Sequence, residues 1–550
     1  MGRNDRWRLV NPEGTTGLQK NTVNRHPRSL SHKTVVLYWN GKPNGDVFLN
    51  RIGEILQERI TDIKVIKAWE IDPSTRQTES NTAASQEVAN KLAELKPDMV
   101  IGAPGDCSGS ATWLVTDQLN IEKLRIPTIT IVSSPYAVLA GTIPVNEGFS
   151  DACIVDVPPP IGMIPVDEVR GKADQVFAKI LRAANYWQPS SVAKAKTSVY
   201  PSNTFEFYGT IEDINRYFLE KKWASGLPVL PPTPELVREL LRGTNRKPEE
   251  VLGQVPPLMR TLTVELAAVH AAMAGCRPQY MPVLIAALEG LLSPEANLRL
   301  VLSGTGTSQI IVLVNGPVIK EIGIGYSQGA AGKGYHANAS IGYAINSIAY
   351  VIGGSRPPSI DRSTLGSPAD YVCWVFGENE DAIPCGWLPF HIERGFTKSD
   401  SVVTVMASYP PVNCVDHWSS SIDEHIKWWS RTVSPLLNMG GPSLPEIMEQ
   451  NPVIALGPEH ASFAASAGWT KNDFRAAFWK ATRIPYSIWP AGCGGDKFID
   501  KFGHVTPESL IPVTLKPEQL IVIVAGGDGK QSHYFAPYPG SFPVSRLVKG

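Results

Sequence analysis

Between residues 33 and 190, apolar runs of strand length alternate with stretches of helical spacing. TVVLYW (34–39) is β-branched and aromatic, whereas DVFLNRIGEILQERI (46–60) places Val47, Leu49, Ile52, Ile55 and Leu56 along one helical face. IKVIKAW (63–69), MVIGA (99–103), PTITIVS (127–133) and ACIVDV (152–157) predict four further strands. SQEVANKLAEL (85–95), ATWLVTDQLNIEKL (111–124) and residues 166–186 predict helices. This rhythm predicts a parallel sheet covered on both faces, an α/β domain of the flavodoxin-like doubly wound kind. The pattern leaves strand order open.

The flanking segments read differently. Residues 1–32 are polar and without apolar period, which predicts an N-terminal arm, either flexible or wrapped on another surface. Residues 187–205 are also pattern-poor, and the linker is placed at 191–205. From 206 to 550 the chain reads as a larger mixed α/β region, with room for two lobes. Helices are expected near 210–222, after Thr233-Pro234-Glu235, and at 263–275, 281–292 and 337–354. Strands are expected at 309–316, 371–377, 401–408, 452–457 and 519–527. HWSSSIDEHIKWW (417–429) reads as an amphipathic helix that buries aromatics.

Composition narrows the function. With 550 residues, 43% of them hydrophobic, the chain can bury large cores. Lys+Arg number 51 and Asp+Glu 52, so no cationic excess exists to hold nucleic acid or an anionic membrane. No apolar run approaches the ~18 residues of a membrane span. The opening MGRNDRWRLVNPEG lacks the apolar segment of a secretory signal. The seven cysteines include no C-x-x-C pair, which argues against a disulfide framework or zinc module. A cytoplasmic enzyme with a small-molecule substrate is expected, with a homodimer as the default assembly.

The sharpest motif is MVIGAPGDCSGSATW. Cys107 follows a buried strand and precedes a helix, at the sheet edge where such folds bind ligands. A helix N-terminus favours negative charge, hence the nucleophilic thiolate. Gly102, Gly105 and Gly109 would let the backbone approach a ligand. Ser110 takes the second position of a C-x-x-C pair, so Cys107 can form an adduct but no internal disulfide. Asp106 is a neighbouring group able to tune the thiol. In the NGKPN loop (40–44), Lys42 and Asn44 could hold an anionic or amide group, and a plain Asn-Gly turn is the alternative.

NGKPNGDVFLNRIGEIL followed by GDCSGSATWLVTDQLNIEKLRIPTITI resembles the UGSC family of selenocysteine- or cysteine-containing proteins. In that family a KPN loop precedes a D-(U/C)-G-S-C motif, then Trp, Asp, and a Glu before a G-x-P-T strand. The resemblance spans about 33–190 and aligns Cys107 with the Sec/Cys position, with Asp106, Trp113, Asp117, Glu122 and Pro127-Thr128 in register. Ser110 replaces the second cysteine, and Arg125-Ile126 replaces the usual glycine. The resemblance implies a strong nucleophile at Cys107 and names no substrate.

No histidine lies between 33 and 269, so a histidine base for Cys107 must come from the second region or a partner subunit. GENEDAIPCGWLPFHIERG (377–395) offers Glu380 and His391 for acid–base work, with a charged surface loop as the alternative. AGGDGKQSHY (525–534) offers His533 on a possible active-site loop. The glycine-rich 323–340 stretch could cradle an anion through Gly332, Lys333 and Gly334, or be a mobile loop. Cys276 and Arg277 could face a pocket or form a helix–helix turn. No spacing matches a metal site, and no cofactor signature is present, although an external thiol could serve as co-reactant.

The expected function is therefore a cysteine-dependent enzyme acting on a small polar metabolite between the two regions. Carbon–sulfur or carbon–heteroatom chemistry, or thiol transfer, fits a single activated thiol. Single-thiol redox chemistry, cysteine acid–base isomerisation with Cys276 as second thiol, and a non-catalytic binding protein are the alternatives.

Overall fold

The computed structural model describes residues 5–15, 21–76, 82–189, 200–434, 448–488 and 502–550. Most of the proposed linker, together with Cys493, lies outside the described residues. The first strand is one the pattern did not suggest. Arg6–Val10 (β1) pairs antiparallel with Thr204–Tyr208 (β7), whose first two residues fall inside the stretch read as linker. Leu9 and Val10 are buried there, so two inward apolar residues in an otherwise polar arm suffice to seat it. Further along the arm, Asn24 Nδ2 donates to the Glu122 carboxylate at 2.6 Å, and the His26 ring nitrogens lie 2.8 Å from Ala183 O and 3.1 Å from Thr128 O.

Next come the five strands of the N-terminal sheet: Thr34–Trp39 (β2), Lys64–Lys67 (β3), Met99–Gly105 (β4), Thr128–Ser133 (β5) and Ile154–Val157 (β6). Their order is β3-β2-β4-β5-β6 and every pairing is parallel. This is the doubly wound order in which the chain reverses its winding direction between the first and third strands of the sheet. Alternation along β2 divides the core. Val35 and Leu37 pack with Phe48, Leu49 and Ile52 on one face, and Val36 and Tyr38 with Val88, Leu92 and Leu114 on the other. The helix Ala137–Asn146 was not anticipated, because its faces are almost uniformly apolar and Pro144 interrupts it. The strand expected to reach 69 ends at Lys67, where Ala68–Ile71 turns helical.

The C-terminal region contains two four-stranded mixed sheets. One orders Trp374–Gly377, Gln309–Asn315, Val402–Ser408 and Val544–Leu547; the other Val412–Val415, Gln531–Phe535, Val453–Leu456 and Ile521–Val524. The two regions share packing. Ile360 joins Val23, Ala111, Val115, Val132 and Leu139 in one apolar cluster, and Arg299 pairs with Glu147 at 3.2 Å. None of the described helices is long and apolar enough to cross a membrane.

Candidate active site around Cys107

β2 and β4 are adjacent, so the loops after them open at the switch point of the sheet. Asn40, directly after β2, is tied to the end of β4 by donating from Nδ2 to Pro104 O at 3.0 Å. β4 is glycine-rich for reasons of packing. A Cβ at Gly102 would lie 2.3 Å from Gln118 Nε2, and one at Gly105 2.9 Å from Ala111 Cα. The expectation that these glycines admit a ligand is corrected: they admit the helix that follows. Gly109 faces Leu300 of the C-terminal region at 3.5 Å.

That helix, Ser108–Lys123, is capped by Cys107 itself. Ser110 N–H donates to Cys107 Sγ at 3.4 Å, and Cys107 N–H donates to Ser110 Oγ at 3.0 Å. This is the reciprocal geometry of a capping box, with sulfur in the place of a hydroxyl or carboxylate. Sγ also lies 3.2 Å from Ser110 Oγ, a pair in which the neutral thiol donates. Cys107 is half-buried. Cys153, Cys276, Cys373 and Cys414 are buried, and burial pushes their thiols up, to about 12 for the last three. Cys385 is exposed.

Asp106 and Asn44 both bind the loop that runs beside Cys107. Asp106 Oδ2 accepts from Ile161 N–H at 3.0 Å and Gly162 N–H at 2.9 Å, while Oδ1 accepts from the Ser133 hydroxyl. Asn44 Nδ2 donates to Ile161 O and Ile164 O, each at 3.0 Å. Together they clamp the 161–164 loop against the edge that holds Cys107. Asn44 itself adopts a left-handed φ of 64°. Lys42 is half-buried, and its carbonyl accepts the Trp39 indole N–H at 2.7 Å.

Two tyrosines from other parts of the chain feel the charge of the thiol. Tyr136, in the turn after β5, and Tyr538, in the C-terminal region, both lie within electrostatic reach of Cys107. Burial raises both phenols, and charge on Cys107 adds to the effect. Tyr538 packs on Tyr409 at 5.2 Å, and a side chain at Gly304 would collide with its hydroxyl. Arg362 lies over the Tyr136 ring at 5.5 Å. Among the described residues no histidine hydrogen-bonds the thiol. Tyr136 was legible as a residue after a strand end of the same sheet; Tyr538, more than four hundred positions away, had no local signal.

The remaining sequence candidates fall elsewhere. Glu380 and His391 do meet, with Oε1 and Nδ1 3.6 Å apart, but His391 is fully buried. Glu380 Oε1 accepts from Gly316 N–H at 2.7 Å, and Glu378 and Lys471 are buried close by. The start of the segment and His391 thus belong to an internal polar junction, while Asp381, Cys385 and Gly386 are exposed as a surface loop would have them. His533 is exposed on the strand Gln531–Phe535, opposite Asn413, not on the preceding turn. Gly332, Lys333 and Gly334 are exposed ahead of the helix His336–Val351. Cys276 is buried, whereas Arg277 is exposed. A cluster without a sequence signal pairs Asp416 Oδ2 with His425 Nδ1 at 2.7 Å, with the His460 ring tilted against His425 at 4.7 Å; the helix Ile422–Val433 buries Trp429 but leaves Trp428 exposed. Among the described residues no group of three or more His, Cys, Asp or Glu could hold a metal ion.

No curated protein matches this chain. The family comparison instead falls on the part of the molecule just described, and it begins within the arm, at residue 8, rather than at 33. Residues 8–185, the strapped α/β unit that presents Cys107, match the model of the UGSC family.

Proposed function

We propose that the protein is a cysteine-dependent enzyme in which Cys107 is the nucleophile, acting on a small polar metabolite where the N-terminal sheet edge meets the C-terminal region. The observation that carries this reading is the position of the sulfur. Cys107 is the helix cap, with the Ser110 N–H donating to it at 3.4 Å and the Ser110 hydroxyl 3.2 Å away. As a thiolate, sulfur keeps the N–H donor, and it gains the hydroxyl as a second donor when that hydroxyl turns from the Cys107 carbonyl, to which it donates at 3.1 Å. Negative charge at a helix N-terminus is the charge this setting stabilises. The other described thiols are buried, except that of Cys385.

Attack on carbon would form a carbon–sulfur bond as the leaving group departs with its electron pair. Tyr136 and Tyr538, kept neutral by burial, would supply the proton that group needs. A second nucleophile, such as an external thiol, would then release the product. Single-thiol redox chemistry uses the same sulfur. Two-cysteine proton transfer is less well served, because Cys276 is buried and its thiol is pushed up to about 12.

The test is the alkylation rate of Cys107 across pH, resolved by peptide mass so that Cys385 serves as an internal reference thiol. Rapid modification at neutral pH, absent in Cys107→Ser, supports the proposal. Modification no faster than that of Cys385 would sink it.

A further inference from the structure

We propose that Arg362 is the anion-binding residue of the Cys107 site, and that the substrate is a small electrophile carrying a carboxylate. The inference rests on the reading of Cys107 as nucleophile and adds the substrate class. Its starting point is a guanidinium without a counter-ion. Arg362 is half-buried and stacks over Tyr136 at 5.5 Å, yet no carboxylate pairs with it among the described residues. Its hydrogen bond is to the backbone oxygen of Pro358, and its Nε is buried with no partner. A half-buried guanidinium normally finds an acid, because five N–H donors removed from water need acceptors. Arg299, which also crosses between the regions, has one in Glu147 at 3.2 Å.

The second observation is where that guanidinium sits. Tyr136, under the Arg362 guanidinium, packs against the same apolar cluster as Ala111 of the Cys107 helix, and its phenol feels the charge of both Arg362 and Cys107. Arg362 is held there by its neighbour Ile360, which is buried in the apolar cluster with Ala111 and Val115 of the Cys107 helix. Neither nearby acid is paired with it, and both have other partners. Asp106 is occupied by Ser133, Ile161 and Gly162. Asp361 accepts from Ser363 N–H and Oγ at 2.9 and 2.7 Å. A planar guanidinium edge suits a carboxylate, which it can bind through two parallel N–H donors. An anionic substrate end paired with Arg362 would be held on the Tyr136 side of the Cys107 helix.

Iodoacetate and iodoacetamide test this directly, since they place the same reactive carbon on an anion and on a neutral amide. Each alkylates the thiolate with loss of iodide, so the ratio of their rates at Cys107, divided by the same ratio at Cys385, reports anion recognition alone. The expected result is a wild-type ratio that falls roughly fivefold or more in Arg362→Gln, since any change in thiolate content affects both reagents alike and cancels in the ratio. Arg362→Lys, which keeps the charge but loses the fork, should fall between. Should Arg362→Gln fail to fold, wild-type protection decides: acetate should slow iodoacetate more than equal ionic strength of chloride does. An unchanged ratio, or protection by phosphate and not acetate, would overturn the carboxylate assignment and leave the nucleophile standing. Slow modification of Cys107 by both reagents would instead overturn the nucleophile reading itself.

Discussion

Cys107 and Ser110 satisfy one another at the start of their helix: the Cys107 N–H donates to Ser110 Oγ at 3.0 Å and the Ser110 N–H donates to Sγ at 3.4 Å. The motif of the family this region resembles has a cysteine in this position; here a hydroxyl occupies it and completes the cap. Ser110→Ala removes the hydroxyl from a charged acceptor, an interaction worth about 1.5–3 kcal/mol. We expect Cys107 alkylation at neutral pH to slow by about tenfold or more. Ser110→Cys should restore a dithiol able to close an internal disulfide, visible as loss of two alkylatable thiols under mild oxidant. An unaltered rate in Ser110→Ala would show that the serine only caps the helix.

Asp106 and Asn44 act through the loop they clamp. Asn44→Ala deletes two donors to Ile161 O and Ile164 O, leaving those carbonyls to find water. Asp106→Ala deletes the acceptor of Ile161 and Gly162 N–H. Each should cost about 1–3 kcal/mol of unfolding free energy. Because Asp106 adjoins Cys107 in the chain, its replacement should also change the Cys107 alkylation rate, whereas Asn44→Ala should change mainly stability. Denaturant melts and peptide-resolved alkylation on the same samples separate the two effects.

Much of the N-terminal sheet was legible because its central strands β2, β4 and β5 are buried on both faces and read as short continuous apolar runs. Cys107 was legible for a related reason: a polar, glycine-flanked residue between such a run and a helix must lie at the sheet's ligand edge. What stayed hidden depended on distance in the chain. The arm looked unstructured because its contacts are spread thinly: β1 pairs with β7, and His26 and Asn24 meet groups more than ninety residues away. Tyr538 and Arg362 reach the site only through tertiary packing. Glu378, Glu380 and His391 looked like a surface loop because charge in sequence normally means solvent, yet each finds a buried partner or neighbour here.

The buried acids and histidines pull the pH dependence in opposite directions. Asp117 is buried against Tyr38, whose hydroxyl donates to it at 2.8 Å, and burial raises its carboxyl to about 7. Glu122 is raised to about 7 by the same cause. The native state holds these protons when the unfolded chain has lost them, so their contribution is full below about pH 4 and disappears as pH rises through about 7. His270 and His460 are lowered to about 4 by burial, so the unfolded chain binds their protons first. Their contribution is full above about pH 6.5 and disappears as pH falls to about 4. The two pairs should offset one another. Asp117→Asn removes one opposing group, and its stability should climb with pH more steeply than wild type by up to roughly 1.4 kcal/mol per pH unit between them. Parallel curves for variant and wild type would show that Asp117 keeps an ordinary affinity for its proton.

Lys471 closes the internal polar junction of the C-terminal region. Its Nζ lies 2.6 Å from Leu388 O and 3.7 Å from both Glu378 Oε1 and Glu393 Oε1. Glu378 is itself fully buried and accepts from Asn315 Nδ2 and Phe390 N–H, each at 2.7 Å. Two charges taken out of water gain little net stability as a pair, but either left alone is expensive. Lys471→Met strands the Glu378 carboxylate and should destabilise the protein by about 3–5 kcal/mol. Glu378→Gln should be milder, because Lys471 retains Glu393. In the double variant no carboxylate is stranded at position 378, so its loss should fall short of the sum of the single losses by about 0.5–3 kcal/mol. Guanidinium melts of the four proteins give that coupling directly. Native-state alkylation of Cys107 should be unchanged throughout, because none of these groups is among those placed around the thiol; simple additivity would mean that Glu378 is already protonated beside Lys471.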